Sequence, residues 1–394
     1  MQILLANFTK MVQDTGGLAK VTCAFANEMV KRGHEVSLMY SDEREGEFFY
    51  PIDKNVKLYN IKKKLNGKVV KFPIHLKAVR EILRMFSKRS GRTVNSWFEE
   101  TYLLESITSY YNEIKPDIVI SYQPAASKLL LCDMNISEPV VTMSHGDPED
   151  YFYLYPRKEI PSLEKSAVCQ VLMPSFEEHI KRHLPNVKTV VIGNAIPQFE
   201  EQADLVSEKA QYRIAFMGRL TKNHKRPHVL IEAFKVLHKK YPNWVVDIWG
   251  KKDRETYYKE LELLIKSSGL ADKVFIHGAT EDVPGALSKA DIFACPSAYE
   301  GFGMAVGEAM SIGLPAVAFK SCSGVNELIE HDKTGILCDD GVEAFTAALE
   351  SLMANTKLRQ TMGESARVAM KKYAPQSIWN QWEDLMKDII SKAK

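Results

Sequence analysis

Two glutamates, Glu300 and Glu308, are separated by seven residues in the stretch AYEGFGMAVGEAM, interleaved with Gly301, Gly303 and Gly307 and preceded by the apolar run 292–296. Pro296 and Ser297 end a strand, 299–302 must be loop, and the spacing predicts a helix over about 303–312, stopped by Gly313 and Pro315. The free N–H groups of Gly303, Met304 and Ala305 then form an anion site, because the first turn of a helix has no carbonyl partners for them. Glu308 falls roughly 6 to 8 Å further along the axis, about the distance from a diphosphate to a ribose, where a carboxylate accepts two hydroxyl protons. Glu300, on the loop before the helix, meets a sugar on the other side of those phosphates. Each has a plainer explanation: Glu308 as a solvated helix residue, Glu300 as a cap of the helix.

A second constellation stands earlier, in Gly218-Arg219-Leu220 with Lys225 six residues after the arginine. An arginine at a strand end and a lysine on the loop beyond can converge on one diphosphate, the first as a fork and the second as a point charge. A nucleoside diphosphate leaving a carbon atom gains negative charge as its bond breaks, so fixed cations aimed there lower the barrier. Lys222, Lys225 and Arg226 lie within five residues, and on charge alone a solvated basic loop accounts for them better. In the first half, Asp14-Thr15-Gly16-Gly17-Leu18 joins a strand to a helix over 19–31, an arrangement that also presents backbone N–H groups to an anion. A tight turn explains Gly16 and Gly17 equally well. His145 ends a strand in Met143-Ser144-His145-Gly146-Asp147, where a lone histidine is more often structural.

The elements that position these residues alternate strand and helix from end to end, which predicts an α/β fold with mainly parallel sheets. Strands are expected at 3–8, 35–40, 117–121, 140–144, 170–173 and 189–192, and the pattern restarts with 213–217, 245–249, 274–276, 292–295 and 316–319. Between the halves lies Asn194-Ala195-Ile196-Pro197 and a polar, acidic stretch to Gln211 that reads as a linker. A length of 394 residues exceeds what one hydrophobic core usually serves. The expected domains are therefore 1–195 and 196–375. A helix over 377–394, with Ile378, Trp382, Leu385 and Ile389 on one stripe, follows Pro375.

With 45% apolar and 26% charged residues the composition is that of a folded globular protein. The N-terminus lacks the basic region and cleavage site of a signal peptide, so a cytoplasmic location is expected. The six cysteines show no CxxC spacing and read as reduced and mostly buried. No Asp-x-Asp occurs, so no metal and no cofactor beyond a nucleotide-sugar co-substrate is expected.

Residues 60–92 hold eleven Lys/Arg against one acid, Glu81, while the rest of the chain is net acidic. A helix over about 74–88 places Val79, Ile82, Leu83 and Phe86 on one side and Lys77, Arg80, Arg84 and Lys88 on the other. That is the pattern of an interfacial helix drawn to anionic lipid, and equally of a helix packed on its own sheet with a solvated basic face. Aromatics are sparse in the patch and no nucleic-acid motif is present, so nucleic acid is not an expected partner. Tyr151, Phe152, Tyr153 and Tyr155 are read as lying in a loop after His145, available for stacking on sugars or for packing.

The stretch Glu300 to Glu308 matches the E-x7-E motif, in its E-G-F-G form, and resembles retaining glycosyltransferases of the GT4 family. Gly16-Gly17, Gly33-His34-Glu35-Val36, Gly218-Arg219-Leu220, Lys225 before VLIEAF, and Gly313-Leu314-Pro315 are similar to further motifs of that family, in its order. The resemblance implies the GT-B fold, two Rossmann-like doubly wound domains facing each other across a cleft, with an acceptor-binding N-terminal and a donor-binding C-terminal domain. It implies that the last helix, 376–394, returns to the N-terminal domain. Arg219 and Lys225 would hold the diphosphate and Glu308 the ribose. Glu300 and the backbone of Phe302, Gly303, Met304 and Ala305 would hold the phosphates and the sugar. Gly16 and Gly17 would approach the phosphates from the opposite wall, and His145 the donor sugar. Family members commonly have one residue fewer between the arginine and the lysine, so Lys222 and Arg226 remain alternatives to Lys225.

The activity implied is retaining transfer of a hexose from a nucleotide donor, expected to be a UDP-sugar, to a hydroxyl of a bacterial surface glycan or glycolipid. Two other functions share this build: a nucleotide-sugar epimerase or hydrolase, and a non-catalytic glycan-binding partner of another transferase.

Overall fold

The computed structural model describes residues 1–64 and 66–393. Leu65, inside the basic patch, and Lys394, at the end of the last expected helix, lie outside the described residues. The chain forms two compact units, one from Met1–Gly193 joined by the chain from Trp379 onward, the other Asn194–Ile378.

The first unit is built on a seven-stranded sheet of order β3-β2-β1-β4-β5-β6-β7, with every pairing parallel. Its strands are β1 (Gln2–Asn7), β2 (Glu35–Tyr40), β3 (Lys57–Asn60), β4 (Ile118–Ser121), β5 (Val140–Met143), β6 (Val168–Val171) and β7 (Thr189–Val191). The central strands are nearly continuous apolar runs, because helices cover both faces; Ile3, Leu4, Leu5, Ile118, Val119 and Ile120 are all buried. Strand order reverses between β1 and β4, which makes the crevice beyond their carboxyl ends the place where such sheets take ligands. Helix α1 (Gly17–Lys31) leaves that crevice with Gly16 at its N-cap.

Packed on this unit is the helix Pro375–Ala393 from Trp379 onward. Phe25 of α1 meets Trp379 and Trp382 edge-on, at 5.6 and 5.1 Å between centroids. Arg32 reaches Glu383 at 2.8 Å. Hydrogen bonds from Lys387 and Arg32 hold the Glu383 carboxyl down at about 2.

The second unit repeats the plan with six strands in the order β10-β9-β8-β11-β12-β13, again all parallel. They are β8 (Tyr212–Met217), β9 (Trp244–Trp249), β10 (Val274–Gly278), β11 (Ile292–Cys295), β12 (Ala316–Phe319) and β13 (Gly335–Cys338). Here the order reverses between β8 and β11. Each sheet also has one short strand without an apolar run long enough to be expected, β3 and β13, and each lies at a sheet edge.

Three expectations are corrected. The stretch after Asn194 is anchored chain, not slack linker: Ile196 and Leu205 are buried, the Ile196 amide donates to the Tyr373 carbonyl at 2.8 Å, and the Ala203 amide donates to that of Ile312 at 3.0 Å. The aromatic run after His145 is mostly the short helix Glu149–Leu154 and not a loop. Tyr151 is buried, Phe152 stacks on His183 at 4.0 Å, and Tyr153 alone of the four stands well exposed. The basic helix ends at Phe86: α2 (Ile74–Phe86) is followed by Ser87 in extended conformation and then by α3 (Lys88–Tyr102).

Candidate functional site

β8 and β11 deliver the chemistry-bearing residues to one crevice. β8 leads into Gly218, whose amide donates to the Trp249 carbonyl at 2.9 Å, and Arg219 follows, exposed. Gly250 is the residue that permits this: at φ +157°, a Cβ there would stand 1.8 Å from the Gly218 carbonyl oxygen. The chain turns through 221–226 and enters the helix Pro227–Leu237 with Arg226 in the left-handed region as its N-cap. The Lys225 amide donates to Thr221 Oγ1 at 3.0 Å, fixing the loop from inside.

This loop separates its three cations. Lys222 Nζ lies 2.6 Å from Glu260 Oε2 on the surface. Arg226 donates to the Pro296 and Ser297 carbonyls at 2.8 and 3.0 Å and lies over the Phe319 ring, tying down the end of β11. Lys225 alone of the three reaches Glu300, with Nζ 2.5 Å from Oε1. Both side chains are largely withdrawn from solvent, 18% and 10% exposed, so their pairing is not weakened as a surface ion pair would be.

His224, which composition gave no reason to single out, completes the cluster. Its ring stacks on Tyr299 at 4.3 Å, and its Nε2 lies 2.9 Å from the Tyr299 carbonyl and 3.9 Å from Glu300 Oε2. Burial, with the Lys225 and Arg219 cations, holds this imidazole below its ordinary range against the pull of Glu300. Both cations are thus near enough to bear on the His224 ring.

Glu300 is supported from behind. Its amide donates to the Ser323 carbonyl at 3.1 Å, and Ser323 Oγ to the Glu300 carbonyl at 3.4 Å. Gly324, at φ +76°, lets the two loops touch, since a Cβ there would be 2.8 Å from the carbonyl oxygens of Glu300 and Gly301.

The helix Met304–Ser311 opens at Gly303, φ +82°, with no side chain capping it. A Cβ on Gly303 would lie 2.7 Å from Val325, so both conformation and space call for glycine. The first-turn amides are left for something outside the helix. Glu308, one turn further in, is buried at 3% exposure. The Phe302 side chain is buried edge-on against Tyr373 at 5.1 Å, leaving its backbone as the part that can meet a ligand. A cavity of about 10 Å³ lies where Lys225, Glu300, Gly303 and Ala305 converge with Phe216 and Cys295.

In the first unit, Gly16 and Gly17 open α1 beyond β1. The Gly16 amide donates to Asp14 Oδ1 at 2.8 Å, and a Cβ there would press on that same oxygen. A Cβ on Gly17 meets nothing within 4 Å, and its backbone is not left-handed. Nothing in its own chain requires glycine at that position. His145 follows β5 and stacks on Tyr122 at 5.1 Å and 13°. Its Nε2 is out of water with no partner among the described residues, and burial pushes the imidazole down to about 4. No group of three or more His, Cys, Asp or Glu that could hold a metal occurs among the described residues.

The family model for glycosyl transferases group 1 matches residues 197–369, nearly all of the second unit. An uncharacterized glycosyltransferase of Haemophilus influenzae is 25% identical, with 96% of this chain and 98% of that one aligned. The amylovoran biosynthesis glycosyltransferase AmsD of Erwinia amylovora is 25% identical over 95% of this chain and 97% of its own. Among solved structures, a Staphylococcus aureus TarM mutant in complex with fondaparinux, alpha-GlcNAc-glycerol and UDP superposes with a TM-score of 0.76 at 17% identity, covering 98% of this chain and all of that one. The two doubly wound parallel sheets are those of the GT-B fold.

Proposed function

We propose that this chain, of GT-B fold and matching the model for glycosyl transferases group 1 over 197–369, is a retaining glycosyltransferase of the GT4 type. It transfers a hexose from a UDP-sugar to a hydroxyl of a bacterial cell-surface polysaccharide or glycolipid. The observation that carries this is the convergence of Arg219, Lys225, Glu300 and the uncapped Gly303 turn at the one place where the second sheet reverses its strand order. The amylovoran relative supports a polysaccharide acceptor, and the UDP in the TarM structure supports the donor base.

In this reading the diphosphate lies between Arg219 and Lys225 on one side and the amides of Gly303, Met304 and Ala305 on the other. Glu308 accepts the ribose hydroxyl protons, and Glu300 with the Phe302 backbone orients the sugar. Lys225 then serves two masters: it leaves or shares Glu300 as phosphate arrives, coupling sugar placement to leaving-group stabilisation. As the bond from the anomeric carbon to the diphosphate oxygen breaks, negative charge grows on that oxygen, which takes the proton of the acceptor hydroxyl while the hydroxyl oxygen bonds to the anomeric carbon on the same face. Retention follows, and no side-chain base is needed. Gly17 leaves room for the donor phosphates in the first unit, and neutral His145 supplies a hydrogen bond to the donor sugar. These cations and amides carry the diphosphate charge themselves, so transfer is expected to survive EDTA.

The test has two stages. Nucleoside diphosphates and nucleotide sugars are screened by thermal shift, and the sugar that stabilises is offered with glycan acceptors while the product's anomeric configuration is read by NMR. Retained configuration is expected. Inversion contradicts the mechanism, and an altered or free sugar formed without acceptor points instead to an epimerase or hydrolase.

A further inference from the structure

Helix α2 has its amphipathic pattern turned inside out. An amphipathic helix of a globular protein ordinarily lays its apolar stripe on the core, yet none of the residues of Ile74–Phe86 is buried. Ile74, Met85 and Phe86 are 84, 84 and 83% exposed, Ile82 is 57% and Val79 44%. At roughly 100° per residue these five share one wedge of about 140° with Ala78 and the exposed His75. The opposite side faces the protein: Arg80 lies over the Phe72 ring at 5.2 Å, and Gly91 of α3 would bring a Cβ to 3.0 Å from Arg84 Cβ. The side of α2 turned to the protein carries Leu76, packed against the core, beside Arg80 and Arg84, and leaves the apolar wedge open. α3 is tied to the unit by Arg92, which donates to the Leu154 carbonyl at 3.0 Å and lies over Tyr155, so the apolar wedge is held outward by a fixed support.

Charge selects the occupant. Lys77, Arg84 and Lys88 on the hairpin, and Lys68 and Lys71 on the chain leading into it, are all exposed. The only acid between 60 and 92, Glu81, is already engaged by Arg80 at 2.9 Å and Arg84 at 3.6 Å. A second copy docking through the same face would bring two such cationic rims together. Nucleic acid would neutralise the rim and leave Ile82, Met85 and Phe86 in water. An anionic lipid surface satisfies both, headgroups against the lysines and acyl chains against the wedge. We propose that the α2–α3 hairpin is a membrane-docking device, with α2 lying in the plane of an anionic bilayer surface and Ile74, Ile82, Met85 and Phe86 inserted into it. No described helix is long and apolar enough to cross a membrane, so attachment through this face is peripheral.

This inference does not depend on the donor site, and its test reads lipid alone. The full chain is floated with vesicles of phosphatidylcholine, with and without phosphatidylglycerol. Binding to the phosphatidylglycerol vesicles only is expected. Each removed cation should weaken it about five-fold, so the triple change Lys77→Gln, Arg84→Gln, Lys88→Gln should lower partition roughly a hundred-fold. Met85→Asp with Phe86→Asp alters two side chains already in water, so folding, followed by circular dichroism, should be unchanged while flotation is lost. Undiminished flotation of that double variant, equal binding to neutral vesicles, or no binding by the unaltered chain would overturn the proposal. So would a dimer seen by sedimentation that the double Asp change dissolves in a protein that ignores vesicles, which would make a second copy the occupant.

Discussion

At the β8/β11 switch point the side chains are charged and engaged with one another: Lys225 on Glu300, His224 beneath both, Arg219 alongside. At the β1/β4 switch point of the other sheet, reached by the same reversal of strand order, the candidate residues are neutral: Gly16 and Gly17 open the helix, with the Asp14 carboxylate turned onto the Gly16 amide, and His145, after β5, is held low by burial and stacked on Tyr122. The same topology therefore supports two kinds of site. One gathers cations, which in the proposed reaction would stabilise a developing anion. The other is furnished to admit something without adding charge.

The comparison breaks most visibly at the charged pole. Lys225→Ala and Arg219→Ala should each lower kcat/KM by about 10² to 10³-fold, the usual cost of removing one preorganised donor from a developing anion. Lys222→Ala, whose partner is Glu260 on the surface, should change it less than two-fold. Steady-state kinetics on the three variants measures this directly, and equal losses would mean that the loop acts only as a diffuse positive field.

Glu300→Gln comes next. If Glu300 positions the sugar, KM rises with kcat little altered; if it shapes the transition state, kcat falls with it. We expect kcat to fall by about ten-fold or more, because the amide also releases Lys225 from its carboxylate partner.

At the neutral pole the effects are smaller. Gly17→Ala meets open space in its own chain, so the melting temperature should hold or rise slightly while KM for the donor increases several-fold. His145 should stay neutral through pH 6 in an NMR titration, since burial holds it at about 4. Because the unfolded imidazole takes its proton at about 6.5 and the folded one resists, the stability this group supports is present above that pH and is lost as pH falls toward 4.

The smallest effect lies away from both poles. Glu383, held at about 2 by Lys387 and Arg32, contributes stability that is present above the unfolded value near 4.5 and lost as pH falls toward 2. Glu383→Gln should cost only about 1 kcal/mol at neutral pH, read as a lower melting temperature that converges with the parent's in acid.

Much of this contrast was legible in the residues. Apolar runs such as Ile292–Cys295 and Ala316–Phe319 are strands because parallel strands are covered on both faces, and the structure places them at those bounds. The edge strands Lys57–Asn60 and Gly335–Cys338 were not legible: each is four residues long and pairs on one side only, so little apolar pattern is demanded of it. The sequence could not rank Lys222, Lys225 and Arg226, because their roles depend on partners 38 to 75 residues away, Glu260, Glu300 and the end of β11. Periodicity located the wedge of α2 but not which way it faces, since a stripe of spacing 3.6 looks the same toward a core or toward solvent. Ser87 and the close crossing at Gly91 decide that, through the turn into α3.

The central claim is that the charged pole is a nucleoside-diphosphate site. Isothermal titration of UDP into the unaltered chain and into Lys225→Ala and Glu308→Ala tests it most directly. The account predicts saturable binding without added metal that weakens about ten-fold or more in each variant, in line with the loss of one charge-assisted hydrogen bond. Equal affinity in all three proteins, with the fold intact, would contradict it.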